Sequence, residues 1–312
     1  MRRSLWLILV PIVAAITTLA WSFTPAPLAA VAIDVDALPL AHPPVGMSVS
    51  ALPTGTIGAR AAFAFRGGSF GEERSFAQTP LLVRHPRGDL LFDAGLASDA
   101  PAHFARTSWL MRATSTMRPG KSAARQLREA GYDLGRLAGV VPTHAHWDHV
   151  SGLADFGAVP VWLNAEERAF VAEGGDATAL MRSFAGIVEH AYTLRDGPYL
   201  GFARSFDVWG DGSVVLVGAP GHTPGSVLAF VTLPSGRRLV LLGDLVWQTD
   251  GITRRAERPW ASRRMVDHDA EQVRSAIAHV AALHARFPQL VLLPAHDDRA
   301  LSALPVFPAR LE

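Results

Sequence analysis

Val140-Val141-Pro142-Thr143-His144-Ala145-His146-Trp147-Asp148-His149 decides how this chain of 312 residues is read. An apolar run ends, and three imidazoles and a carboxylate follow within the next six residues, His144 to His149. Burying them together is costly unless something satisfies them in common, and a divalent cation does that. His144 and His146 flank one residue and can reach one metal. Asp148 and His149, at the turn, can reach a second.

Three more segments repeat this layout. They are Gly218-Ala219-Pro220-Gly221-His222-Thr223-Pro224-Gly225, Leu241-Leu242-Gly243-Asp244, and Leu292-Leu293-Pro294-Ala295-His296-Asp297. Each places a His or Asp just past an apolar run, as ligands on loops at one edge of a rigid sheet require. Five His and two Asp are too many ligands for one tetrahedral ion with an open position. They suit two ions if Asp244 bridges them.

Further out, short apolar runs bounded by Gly, Pro or charge read as strands: 59–66, 80–85, 90–93, 137–142, 159–163, 214–217, 226–232, 239–242 and 290–293. Helices are expected over 121–130, over 165–172 behind an Asn164 cap with Glu166 and Glu167 in the first turn, and up to Arg286 from a cap at Asp267 or Asp269. Two mixed β/α halves stacked sheet to sheet, with helices outside, follow from that order.

With these motifs in hand, the chain resembles the metallo-β-lactamase superfamily over roughly residues 57–300. The His144-Ala-His-Trp-Asp-His149 run, Gly221-His222-Thr-Pro-Gly225, Gly243-Asp244 and the late His296 carry the resemblance. It implies an α+β fold, an αββα sandwich of two mixed sheets packed face to face. It also implies two divalent ions, with zinc as the default. His144, His146 and His222 would hold one; Asp148, His149 and His296 would hold the other; Asp244 and a hydroxide would lie between. Asp148 is the candidate proton carrier, and Asp93, in Phe92-Asp93-Ala94-Gly95, is expected to fix a loop rather than bind metal.

Within the superfamily, the layout is most similar to the N-acyl homoserine lactonase-like group. A lactone or related ester is therefore the expected small-molecule substrate. A zinc β-lactamase of the third subclass and a glyoxalase II-like thioesterase are the alternatives. A binding module or an iron redox protein fits the full ligand set less well. One departure stands out: Trp247 occupies the position, three residues after the bridging Asp, where well-studied lactonases carry a Tyr.

Composition narrows the rest. There is no cysteine, so a metal must be held by His and carboxylate. A net charge of +1 offers no nucleic-acid footprint. Met1-Arg2-Arg3 followed by apolar Leu5 to Ala20 reads as a signal peptide cleaved near Ala30-Val31-Ala32, or as a membrane tether through residues 4–23. Either way the domain at 57–312 is expected to be exported, periplasmic or secreted, behind a leader at 1–32 and a loosely packed Pro/Ala-rich arm at 33–56. The seven remaining histidines, His103 among them, read as surface or core residues. Trp109 and Met111 read as packing. Phe63, Phe65 and Phe70, around Gly67-Gly68, read as a hairpin tip or a lid.

Overall fold

The computed structural model describes residues 16–312 together with 11, 13 and 14. Half of the apolar leader at 5–20, namely Leu5–Val10, Ile12 and Ala15, lies outside the described residues. Among those described, no helix is long and apolar enough to cross a membrane.

Two sheets form the body. The first runs β1(Ser48–Ala51), β4(Leu81–Arg84), β5(Asp89–Phe92), β7(Leu137–Val141), β8(Val161–Asn164), β9(Glu189–Tyr192), antiparallel up to β5 and parallel beyond it. The second runs β10(Ser205–Asp207), β11(Val214–Gly218), β12(Val227–Thr232), β13(Arg238–Gly243), β14(Leu290–Pro294), with only the β13–β14 pair parallel. A small third sheet, β3(Glu73–Ala77), β2(Gly55–Arg60), β6(Thr116–Pro119), adjoins them.

The inner faces meet in one core. Leu81, Val83, Leu90, Phe92 and Val141 pack against Leu216, Val227, Ala229, Leu239, Leu241 and Leu293. These strands are apolar on both faces because helices cover the outsides. The Ala270–Arg286 helix buries Val273, Ile277, Val280 and Leu283 on the second sheet. Ala123, Ala124 and Leu127, from the Ala123–Glu129 helix, pack with Leu82, Leu91 and Val140 behind the first. The result is the expected αββα sandwich.

Several expectations need correction. Part of the stretch read as a loose arm is sheet, because Ser48–Ala51 is a fully buried strand paired with β4. The expected strand at 59–66 stops at Arg60 and turns into helix α1(Ala61–Ala64). Asp269, not Asp267, caps the long helix by accepting from the backbone N–H groups of Glu271 and Gln272. Trp109 is not packing: it is 72% exposed on helix α3(Trp109–Thr114), which follows α2(Ala100–Ala105).

Candidate metal centre

Strand direction sets the site. β5 and β7 run parallel, so Asp93 and Thr143-His144 leave the first sheet at the same edge. β11, β13 and β14 share one direction in the second sheet, so His222, Asp244 and His296 follow their C-terminal ends. A hydrogen bond from Val227 N–H to the Thr143 carbonyl (3.0 Å) joins the two edges there.

All seven side chains expected from the sequence come together at that edge. Ligand atoms of His144, His146 and His222 lie within 4.8 Å of one another, as do those of His144, His149 and Asp244, and those of Asp148, His149 and His296. Asp244 sits between the groups, with Oδ1 3.0 Å from His296 Nε2 and 3.3 Å from His149 Nε2, and Oδ2 3.4 Å from His222 Nε2.

Proton placement argues that the cluster suits cations. His222 Nδ1 is 2.8 Å from Asp267 Oδ1, His149 Nδ1 is 2.9 Å from Asp93 Oδ2, and His296 Nδ1 is 2.8 Å from the Ala77 carbonyl. Each partner accepts a proton from Nδ1, which leaves the Nε2 lone pair pointing inward. His222 Nε2 stands 3.1 Å from His144 Nε2, and His149 Nε2 stands 3.3 Å from His296 Nε2. Facing lone pairs at such distances repel unless a cation lies near both. Asp244 Oδ1, buried and without a hydrogen-bond partner, makes the same demand.

The ionisation behaviour divides the cluster in two. Burial, reinforced by neighbouring imidazoles, holds His144 and His146 well below the usual histidine range, in the neutral form that donates a lone pair. Burial also acts on His149, but Asp93 and Asp244 outweigh it and raise its proton affinity. His296 is likewise raised against burial by Asp244 and Asp148. Asp244 stays ionised because His296 and His149 overcome its burial.

Supporting residues hold this geometry, and most carry no motif. Asp93, at φ 58°, accepts from Thr143 N–H (2.7 Å) besides facing His149. Glu167 was read as a first-turn acid beside the helix dipole; instead its carboxylate is buried. It accepts from Ala145 N–H (2.6 Å), the Thr223 hydroxyl (2.7 Å) and Gly225 N–H (3.0 Å), clamping the His144–His146 loop to the His222 loop. Burial raises Glu167 while those bonds pull it back. Only glycine fits at 225, where a Cβ would stand 2.2 Å from Glu167 N.

Trp247 answers for the missing Tyr in another way. Its indole N–H donates to Asp244 Oδ2 at 2.7 Å, so it holds the central carboxylate. The Arg258 guanidinium lies 4.7 Å over the Trp247 ring, donates to the Asp244 backbone carbonyl, and bonds Asp267 at 3.0 Å. His222 and Asp244 are thus tied through one arginine, which sequence reading passed over because Arg258 lies in no motif.

Above the cluster opens a cavity of about 610 Å³, walled by Ile57, Phe63, Leu110, Met111, Trp147 and Met265 among others, with Asp148, Asp244 and His296 facing it. His103, read as an ordinary histidine, lines it as well, with Nδ1 2.8 Å from the Ser151 hydroxyl.

The sequence matches the model of the metallo-beta-lactamase superfamily over residues 76–288. The chain belongs to that superfamily. A probable metallo-hydrolase of Mycobacterium tuberculosis is 32% identical over 192 residues, 57% of this chain and 60% of the relative. The N-acyl homoserine lactonase AttM of Azorhizobium caulinodans is 27% identical over 187 residues, 54% of this chain and 65% of that protein. The chain thus matches somewhat under two thirds of the length of these relatives. The fold superposes on an N-acyl homoserine lactone hydrolase holding N-hexanoyl-L-homoserine at its catalytic metal center, with a TM-score of 0.66. That likeness covers 85% of this chain and 98% of the other, at 15% identity.

Proposed function

We propose that this superfamily member is a dinuclear metal-dependent hydrolase of cyclic esters, with N-acyl homoserine lactones the first class to offer. The observation that carries the reading is the Asp244-centred cluster at the floor of a cavity whose walls are largely apolar. His144, His146 and His222 would hold one ion and Asp148, His149 and His296 the other, with Asp244 placed to serve both groups. Zinc is the default, although such a His/carboxylate set also accepts iron, manganese or cobalt. The bound ions supply an activated water and polarise the ester carbonyl.

The rest is the work of side chains. Ile57, Phe63, Leu110, Met111 and Met265 receive an acyl chain and exclude water. Asp148 faces the cavity and is the group placed to pass a proton to the leaving alkoxide. Trp247 spends its N–H on Asp244, so it orients the bridge and does not touch the carbonyl. Expected similarity to lactonases, and the product carried by the superposed hydrolase, support the lactone over a thioester.

The test is proton release by the zinc-loaded chain offered a long-chain N-acyl homoserine lactone, with Asp244→Ala as blank. Saturable turnover that the blank lacks supports the lactonase reading. Two metals bound per chain without turnover would refute the lactone as substrate and leave the metal centre intact.

A further inference from the structure

The N-terminal segment is built into the rim of the cavity. Residues 16–22 are helical and expose Ile16, Leu19 and Trp21. The chain then docks on the loop at 61–70. Gly67 N–H donates to the Phe23 carbonyl (2.9 Å), and Arg66 donates to the carbonyls of Trp21 and Thr24, both at 3.1 Å. Phe23 packs with Phe63 and Phe70 at centroid distances of 6.0 and 4.9 Å. Further along, Leu28 exchanges two 2.8 Å hydrogen bonds with Arg255. Every one of these contacts lies on the N-terminal side of Ala30-Val31-Ala32, where a signal peptidase would cut.

Among the described residues, the same rim carries large apolar side chains that stay half or more exposed. Trp109 is 72% exposed, Trp21 61%, Phe70 56% and Trp260 50%. Three of the four adjoin or pack on the cavity wall, Trp109 next to Leu110, Trp260 next to Ala261 and Phe70 on Phe63, while Trp21 lies by Arg66. Trp260 opens the helix Trp260–Val266, here α4, whose Met265 both lines the cavity and is exposed. Charge on these elements has one sign. Residues 100–119 expose Arg106, Arg112 and Arg118 with no acidic residue among them, and α4 exposes Arg264, whereas Arg258 and Arg263 are already paired with Asp267 and Glu257.

We propose that this rim docks on an anionic lipid bilayer, with the N-terminal segment retained as its tether, so that the cavity mouth opens at the lipid surface. Exposed tryptophan beside arginine is the composition that settles at a headgroup boundary. The largely apolar sixteen-residue stretch from Leu5 to Ala20, preceded by Arg2 and Arg3, leads straight into the docked segment. A second copy of the chain explains the exposed rings less well, since it accounts neither for that leader nor for exposed Arg106, Arg112, Arg118 and Arg264, which no acidic side chain pairs among the described residues. One consequence rests on the hydrolase reading: the substrates would be esters with long acyl chains, dissolved in the membrane and entering the cavity chain-first.

The absence of cysteine makes the test clean, because each introduced cysteine is the only one. The full chain carries Trp109→Cys, Trp260→Cys or Gly236→Cys, each labelled with an environment-sensitive fluorophore. Gly236 is an exposed turn between β12 and β13, away from the rim. Vesicles of phosphatidylcholine and phosphatidylglycerol with brominated acyl chains should shift the first two probes to the blue and quench them, leaving the third unchanged. Probes at 109 and 260 that stay aqueous on vesicle-bound protein would overturn the proposal. So would probes already shielded without lipid, which would mean a second copy, or a mature chain beginning at residue 33. None of these readings depends on turnover, so they stand apart from the lactone assay.

Discussion

Trp247 is the residue at which this chain departs from the lactonases it resembles, and its role here is to position. The Trp247→Phe variant keeps a ring over Arg258 and removes the N–H given to Asp244. Losing such a support of a metal ligand lowers metal affinity roughly 10–100-fold. Competition with a chelating dye should register that fall while the melting curve of the metal-free protein stays put. An unchanged affinity would show that the indole only fills space. The seven candidate ligands were legible because imidazole and carboxylate following apolar runs are conspicuous. Glu167, Asp267 and Arg258 were not, since their importance comes from burial and from partners far along the chain. Glu167 looks from sequence like any first-turn acid, and nothing local says that its carboxylate reaches Thr223.

At the scale of elements, two aspartates two residues apart have separate duties. Asp269 caps the Ala270–Arg286 helix, whereas Asp267 receives His222 Nδ1. Asp269→Ala should lower the thermal midpoint and leave metal content unchanged. Asp267→Ala should leave the helix in place and weaken metal binding, a split that circular dichroism and metal analysis can score. Acid behaviour belongs to this scale too. Asp297 resists its burial through hydrogen bonds from Arg299 and Thr249, and its carboxyl is held below the usual range. A depressed carboxyl stabilises the fold fully above the unfolded pKa, near ~3.9, and the contribution is lost as pH falls through the lower folded value. In the Asp297→Asn variant, urea midpoints should therefore fall less steeply than wild type between about pH 5 and about pH 3. Strands such as β5 and β7 were readable because their runs Leu90–Phe92 and Leu137–Val141 are apolar. β3, Glu-Arg-Ser-Phe-Ala, was not, because a strand at the edge of the small sheet keeps polar side chains in water. The Trp260–Val266 helix escaped for a related reason: three of its seven residues are Ser or Arg and its apolar face looks into the cavity, not the core.

Over the whole molecule, ligands from both sheets meet at one edge, so metal occupancy and folding are linked. Stripping the ions leaves lone pairs and a buried carboxylate facing one another, and a chelator should lower the melting temperature by several degrees. Differential scanning calorimetry with and without EDTA, repeated on His222→Ala, checks this; equal shifts in both proteins would break the link. The sandwich itself was foreseeable from the alternation of apolar runs. Its mouth was not, because Trp109, read from the sequence as packing, is exposed. His149 and His296 stand 147 residues apart and come from different sheets. If metal fills the proposed centre, this cysteine-free chain would therefore carry the equivalent of a staple between its two sheets. A disulfide closing so long a loop would be worth about 5 kcal/mol. Unlike a disulfide, this staple ignores reductants and the redox state of its surroundings, and it opens when free metal becomes scarce.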